Sequence, residues 1–451
     1  MVQANDQTES VCPECLKRIP AFRIYEGQDV YLEKTCNKHG AFRTILWRGN
    51  PEYKTWRRPK IPSFPTKPIT AVSQGCPYDC GLCADHQQHT CSVLLEVTQR
   101  CDLHCPVCFA DSGKSEIPDW TLAEIEHWYQ RLLEFGGPFN IQISGGEPCV
   151  RDDLPLIIRM GRSYGFSFFQ INTNGLRIAH DPDYLSELKT AGLSTVFLQF
   201  DGTEDAIYKK IRGRNLLEVK LDAIDRCKEV GVGVVLVPTL IPGINTENIG
   251  EILNLAVRSI PTVRGVHFQP VSYFGRYPQT PDNVSRFTLP EIMFAIQEQS
   301  RGMFSMEMFN PPGCENALCS FHANFVQMPD GELKSLHYYR DPCECQPMIA
   351  AEGAARACRF VAENWTLPQD IKSLHIIELP SFGDWDVFLE RKKTHPFCIS
   401  AMAFQDAWTL DLERLKDCCI HVADPDGKLI PFCAYNLTNS QGKPLYRNTS
   451  D

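Results

Sequence analysis

Between residues 93 and 302, short apolar runs alternate with longer amphipathic stretches, and that alternation sets the expected fold. The runs at 93–97, 139–144, 168–172, 195–200, 232–238 and 263–270 are rich in Val, Ile, Leu and Phe. They are too short for buried helices and read as strands. Segments 122–135, 154–164, 184–191, 217–230 and 249–259 repeat apolar residues every three or four positions, as helices with one buried face do. Strands of this kind joined by helices predict a parallel sheet. The six βα units predict an α/β fold, a partial (β/α)6 barrel, with its chemistry at the C-terminal ends of the strands.

The flanks break this rhythm. Residues 11–50 read as a small metal-knuckle module containing a hairpin at 24–34. Residues 51–92 hold a linker rich in Pro, Lys and Arg, followed by a cysteine group. Residues 93–302 are the barrel, and 303–451 read as an irregular, cysteine-rich C-terminal region.

Hydrophobic residues make up 43% of the 451-residue chain and charged ones 22%, the balance of an ordinary globular protein. A formal charge of −10 offers no polyanion-binding surface, so nucleic acid is not an expected partner. No apolar run reaches the length of a transmembrane helix, and no leader is visible at the first residues. The expected location is therefore cytoplasmic, with peripheral membrane contact at most. The 21 cysteines are the departure. Their C-x2-C and C-x3-C-x2-C spacings suit metal better than disulfides and imply a reducing compartment.

Cys101, Cys105 and Cys108 follow the first barrel strand in a C-x3-C-x2-C pattern. Three thiolates hold three irons of a [4Fe–4S] cluster and leave the fourth open, whereas four close it. A zinc knuckle is the rival reading. At the end of the second strand, Gly145 and Gly146 let backbone approach a ligand, and Glu147 offers a carboxylate to an ammonium group. Asn172 and Asn174 end the third strand with polar tips suited to ribose hydroxyls. Asp201 ends the fourth strand and Arg212 follows it; a plain turn competes for Asp201.

Cys76, Cys80 and Cys83 repeat the triplet spacing, and with Cys91 they form a four-thiolate set for an auxiliary [4Fe–4S] cluster or a zinc ion. Cys12, Cys15, Cys36 and His39 form a Cys3His set for zinc or a rubredoxin-like iron. Cys314, Cys319, Cys418 and Cys433 are assigned to a second auxiliary cluster, with Cys419, Cys343 and Cys345 as substitutes. Cys149, Cys227, Cys358 and Cys398 read as ordinary thiols.

The triplet and the Gly145-Gly146-Glu147 element resemble the radical S-adenosylmethionine (SAM) superfamily. A closer resemblance spans nearly the whole chain. The block Gly75-Cys76-Pro77-Tyr78-Asp79-Cys80-Gly81-Leu82-Cys83, the pair Cys12-Pro13 with Cys15, Cys36 and His39, and the tail Leu429-Ile430-Pro431-Phe432-Cys433-Ala434-Tyr435-Asn436 resemble the family of archaeal tetraether lipid synthase and pterin-methylating radical SAM proteins. That resemblance implies a SAM-binding cluster on Cys101, Cys105 and Cys108, one or two auxiliary [4Fe–4S] clusters, one Zn or Fe ion, and a reductant such as ferredoxin or flavodoxin. It implies that Gly145, Gly146 and Glu147 meet the SAM amino group, and that Asn172, Asn174, Asp201 and Arg212 face its ribose and carboxylate. The superfamily places an aromatic residue before the third cysteine, against adenine. Here that position is Val107 and Phe109 follows Cys108, so the adenine meets Phe109 or aliphatic walls.

Two activities follow. The first is SAM cleavage to a 5′-deoxyadenosyl radical that couples sp3 carbons of lipid chains, in an apolar tunnel sought along the aromatic-rich segment 382–408. The alternative is C-methylation of a pterin-like heterocycle in a polar pocket, with Asp201, Gln269 and Asn174 as candidates. A non-enzymatic electron carrier is the third reading, and it has no use for an open iron.

Overall fold

The computed structural model describes residues 6–113, 117–336, 347–368 and 384–447. The N-terminal segment is an antiparallel sheet of β1 (Gln7–Val11), β2 (Arg18–Glu26), β3 (Asp29–Cys36) and β4 (Gly40–Trp47), paired in sequence order. The expected hairpin is the β2–β3 turn. Along β3 alternate residues are buried: Val30, Leu32, Lys34 and Cys36. Lys34 holds an inward position because its ammonium finds acceptors. It donates to Ser10 Oγ at 3.0 Å and to the Ala407 carbonyl at 2.7 Å. Burial still pulls its pKa down to about 7.

Six parallel strands follow, β5 (Ser92–Thr98), β6 (Asn140–Gly145), β7 (Phe169–Thr173), β8 (Thr195–Gln199), β9 (Gly233–Val237) and β10 (Val263–Pro270), each beside the next. Helices return the chain between them. The helix at Leu122–Glu134 starts where Thr121 and Glu124 form a capping box, and it buries Ile125, Trp128, Tyr129 and Leu132 along one face. These side chains join Phe166, Phe169 and the strand residues Ile141, Ile143 and Ile171 in the main core.

Beyond residue 302 the sequence suggests no regular period, but the structure adds strands to both edges of the sheet. They are β11 (Ser320–Gln327), β12 (Leu333–Ser335), β13 (Pro396–Met402), β14 (Ile420–Ala423) and β15 (Leu429–Pro431). β13 lies parallel to β10 on one side, and β14 lies parallel to β5 on the other. β11 and β12 continue antiparallel beyond β13, and β15 beyond β14. The resulting order is β12-β11-β13-β10-β9-β8-β7-β6-β5-β14-β15. β14 and β15 are too short to show a period in sequence, which is why the pattern misses them. Cys343, Cys345 and Phe382 lie outside the described residues. Among the described residues no helix is long and apolar enough to cross a membrane.

Buried ion pairs stitch distant segments together. Arg23 on β2 donates to Asp411 at 3.0 and 2.7 Å, Arg286 to Asp406 at 2.9 and 3.1 Å, and Arg447 to Glu96 at 2.7 and 2.6 Å. Burying such a pair strips both hydration shells, so removing one partner costs far more than removing both. Asp411→Ala would leave the Arg23 charge unpaired inside the contact between the N-terminal sheet and the barrel. We expect it to lower stability by about 3–5 kcal/mol. Anaerobic urea titration would read this as an earlier midpoint, partly recovered by adding Arg23→Met. An unchanged midpoint would show that the pair does not hold the sheet in place.

Candidate active site and metal centres

β5 runs directly into the loop that carries Cys101, Cys105 and Cys108, at the C-terminal mouth of the barrel. All three line one cavity of about 520 Å3. The loop is clamped by groups far away in sequence. Arg276 exchanges backbone hydrogen bonds with Cys108, both at 2.9 Å, and its side chain donates to the Cys105 carbonyl at 2.9 Å. Asn174 Nδ2 donates to Asp102 at 2.6 Å. Burial pushes the Cys101 thiol up to about 12 and raises that of Cys105, although Arg212 beside Cys105 works the other way. Bare, the Cys101 and Cys105 thiols stay protonated. A bound cation that takes up thiolate would reverse this, so the donor set fits an iron–sulfur cluster held by three sulfurs.

The glycines at the end of β6 also have a role in holding the cysteine loop. Gly145 has φ +129°, and a Cβ there would lie 2.1 Å from the Thr98 carbonyl oxygen. A Cβ on Gly146 would lie 2.1 Å from the Arg100 oxygen. The amides of Gly146 and Glu147 donate to those two carbonyls, each at 2.8 Å. The pair therefore seats the cysteine loop against β6, rather than only opening backbone to a ligand.

The Glu147 carboxylate lines the cavity and accepts from Cys149 N at 3.0 Å, Thr173 Oγ1 at 2.7 Å and Asn174 N at 2.6 Å. Burial raises its pKa, and those hydrogen bonds oppose the rise. Asn172 lines the cavity within an amide ladder, accepting from Gln170 at 2.7 Å. Asn174 also lines it, but both ends of its side-chain amide are engaged, on Asp102 and on the Leu176 amide. Asp201 does not reach the cavity. It is fully buried and paired with Arg212 at 2.7 and 2.8 Å, and Arg212 itself lines the wall. Val107 and Phe109 both line the cavity, with the Phe109 ring 5.8 Å from that of Phe432.

Sequence reasoning missed two positioning residues. Lys220 sits on an ordinary amphipathic helix, yet it is fully buried and donates to the Asn174 carbonyl; burial pulls its pKa down to about 8. Arg276 carries no motif that would mark it. Only the fold brings it to the loop.

The remaining cysteines regroup. The ligand atoms of Cys12, Cys15, Cys36 and His39 lie within 4.8 Å of one another, as the spacing suggests. Cys91 does not complete a four-thiolate set with Cys76, Cys80 and Cys83; it converges with Cys314 and Cys419, again within 4.8 Å. The reason is register. Cys91 precedes β5 and Cys419 precedes β14, and the two strands are parallel with Ser92 opposite Ile420. Cys314 is thereby drawn away from Cys319, Cys418 and Cys433, which line a separate void of about 30 Å3. Cys80 interacts with Cys76 and Cys83 as a third set. Cys358, read as an ordinary thiol, donates to the Cys91 carbonyl at 2.8 Å and lines the large cavity with Cys91, Cys314 and Cys419. Thiol groups thus face the cavity from both ends of β5, a strand spanning roughly 20 Å.

Residues 95–256 match the radical SAM superfamily, and residues 4–48 match the HMPTM N-terminal zinc ribbon domain. The chain is 35% identical to the 7,8-dihydro-6-hydroxymethylpterin dimethyltransferase of Methanocaldococcus jannaschii, over 96% of this chain and 94% of that protein. It is 28% identical to the GTP 3′,8-cyclase of Rhodopirellula baltica over 40% of this chain and 51% of that one. Among solved structures, Streptococcus suis SuiB bound to precursor peptide SuiA aligns with a TM-score of 0.39 and 15% identity, covering 48% of this chain and 46% of that one.

Two outcomes follow from the geometry. Gly146→Ala forces its new methyl against the Arg100 carbonyl, so reconstituted protein should lose one cluster's worth of iron, about four atoms, by iron and sulfide assay. Full iron content would show that the loop tolerates displacement. Burial holds His267 at about 4 against an ordinary 6.5, so its neutral form is the folded one. Its contribution to stability is whole above pH 6.5 and is lost as pH falls toward 4. The melting-point gap between wild type and His267→Gln should shrink over that window.

Proposed function

Because this chain belongs to the radical SAM family that includes the M. jannaschii 7,8-dihydro-6-hydroxymethylpterin dimethyltransferase, we propose that it C-methylates a reduced pterin-like heterocycle. It is a radical SAM enzyme that uses a [4Fe–4S] cluster and SAM, with a zinc ribbon at its N-terminal side. One observation carries the choice of substrate. The cavity that holds the cysteine triplet has a mainly apolar wall, Phe168, Phe197 and Phe274 among its residues, but polar side chains interrupt it, including Gln142, Gln199, His267, Gln269 and Asn324. A hydrocarbon chain would leave an unpaired amide desolvated, and on this wall Gln199 Oε1 and Asn324 Oδ1 have no partner. The lipid-coupling reading therefore yields to the alternative. Of the segment first considered for tunnel walls, Cys398, Ser400, Ala401, Met402 and Phe404 line the cavity, while Trp408 packs behind the wall in the apolar cluster that Phe404 also touches.

Cys101, Cys105 and Cys108 would hold the SAM-binding cluster, and Cys12, Cys15, Cys36 and His39 the zinc. When bound, the cluster supplies the electron that splits the sulfonium bond of SAM. The protein's part is placement. Glu147 presents a carboxylate edge to the SAM amino group from a frame of three hydrogen bonds. Arg212, neutralised by Asp201, braces the Val107 carbonyl at 3.4 Å and Thr239 at 3.1 Å. His267, held neutral, sits with Nδ1 2.8 Å from Ser400 Oγ and serves as a hydrogen-bonding wall rather than as an acid. Cys91, Cys314 and Cys419, with Cys358 adjacent, and the trio Cys319, Cys418 and Cys433 would hold auxiliary clusters. A ferredoxin or flavodoxin in a reducing cytoplasm would supply electrons.

Anaerobic incubation of reconstituted enzyme with SAM, dithionite and 7,8-dihydro-6-hydroxymethylpterin tests this. The expected products are 5′-deoxyadenosine and a pterin heavier by methylene units, both absent in a Cys101→Ala, Cys105→Ala, Cys108→Ala variant. Deoxyadenosine with unchanged pterin, together with joined chains from an added lipid extract, would sink the reading.

A further inference from the structure

Four buried polar atoms on the cavity wall have no hydrogen-bond partner: Ser112 Oγ on the segment after the cysteine loop, and Gln199 Oε1, Asn324 Oδ1 and Trp365 Nε1. Buried polar groups in folded proteins are nearly always paired, and an unpaired one is costly unless a ligand or water completes it. Finding four around one cavity points to something that belongs there, and the last three lie on the strands and helix away from the cysteine loop.

Strand register shows how they are arranged. Asn172, Phe197, Val235, Gly265, Cys398 and Asn324 stand opposite one another across six neighbouring strands and form one rung of the barrel interior. Gln199, His267 and Ser400, two residues further along their strands, and His322, two residues earlier on antiparallel β11, form the next rung toward the mouth. Trp365 ends the helix Ala350–Trp365 and closes the floor; its carbonyl lies 2.5 Å from where a Gly233 Cβ would be. Its indole meets the Phe197 ring at 5.0 Å, tilted by 37°, and Phe197 meets the His267 ring at 5.6 Å. The wall thus offers flat aromatic surface bordered by two acceptors and one donor.

We infer that Gln199, Asn324 and Trp365 are the residues that read the substrate ring, taking its N–H groups on the two amide oxygens and its carbonyl on the indole N–H. The ligand chemistry is a 2-amino-4-oxopyrimidine edge, which carries an exocyclic amine, a ring N–H and a carbonyl side by side. The assignment rests on the heterocycle reading above and refines it. A pterin and a guanine nucleotide share this edge, so both are probes. The pterin is favoured because Arg212 and Arg356 are the sole cationic side chains on the described cavity wall, which leaves little to hold a triphosphate.

The test is anaerobic equilibrium binding to the iron-loaded full chain, with 6-hydroxymethylpterin and GTP as separate probes. Gln199→Leu, Asn324→Leu and Trp365→Phe are compared with wild type. Iron content and SAM affinity are measured on each, so that misfolding is told apart from lost recognition; Trp365→Phe keeps the aromatic floor. Each variant should bind the pterin about tenfold more weakly, as loss of one buried hydrogen bond does, with SAM affinity and iron unchanged. Wild type that binds pterin while all three variants bind it equally well overturns this assignment and leaves the substrate class standing. Wild type that binds GTP but not pterin, with the same losses in the variants, supports the assignment and overturns the pterin reading. Wild type that binds neither probe overturns both.

Discussion

The mouth of the barrel depends on the seam where Thr98 to Arg100 lie against Gly145 to Glu147. Two amide-to-carbonyl hydrogen bonds close it, and two missing β-carbons make the approach sterically possible. The pairing of β5 with β6 shifts register between Glu96 and Thr98 at this point. With the seam in place, the cysteine loop leaves β5 along a fixed path. Glu147 is then oriented to collect Thr173 and Asn174, Asn174 reaches across to Asp102, and Lys220 supports Asn174 from below. Each contact presupposes the one before it. A small displacement at the seam would therefore be passed through three strands and a helix.

Charge inside the cavity is arranged with similar economy. Arg212 would be a heavy burden in a dry interior were Asp201 not bonded to it at two points. That pairing removes most of its net charge and leaves its guanidinium edge facing Cys105 and the loop carbonyls. Thiols pushed up by burial need cationic company to exist as thiolates, and Arg212 provides some of it before any metal arrives. Arg447 plays a comparable part on the other side. Bound to Glu96, it brings the last described residues of the chain over the Phe109 ring, with 5.9 Å between guanidinium and ring centre.

The six barrel strands were legible because each is a short run centred on Val, Ile, Leu or Phe between amphipathic segments, and the cysteine triplet because its spacing is local. What could not be read depended on long-range register. The partners of Cys91 follow from β14 lying beside β5, and a strand of four residues announces nothing in sequence. The glycines stand out in the sequence, but one chain position cannot tell whether the open space beside a glycine admits a ligand or a neighbouring backbone. Arg276, Trp365 and Asn324 had no motif at all. They matter through where the fold delivers them.

The same long-range closure bears on how the chain is made. Arg23 and Asp411 are 388 residues apart, and β14, the outer neighbour of the first barrel strand, lies near the other end of the chain. At synthesis rates of roughly 5–20 residues per second, about 20–80 s pass between the emergence of the two partners. Throughout that interval the edge of β5 and the inner face of the ribbon are without their final cover, which is the condition in which strand edges associate wrongly. A protein clasped in this way completes the contacts of its first sheet only once Asp411 has been made, so truncation before that residue would expose Arg23 and the edge of β5.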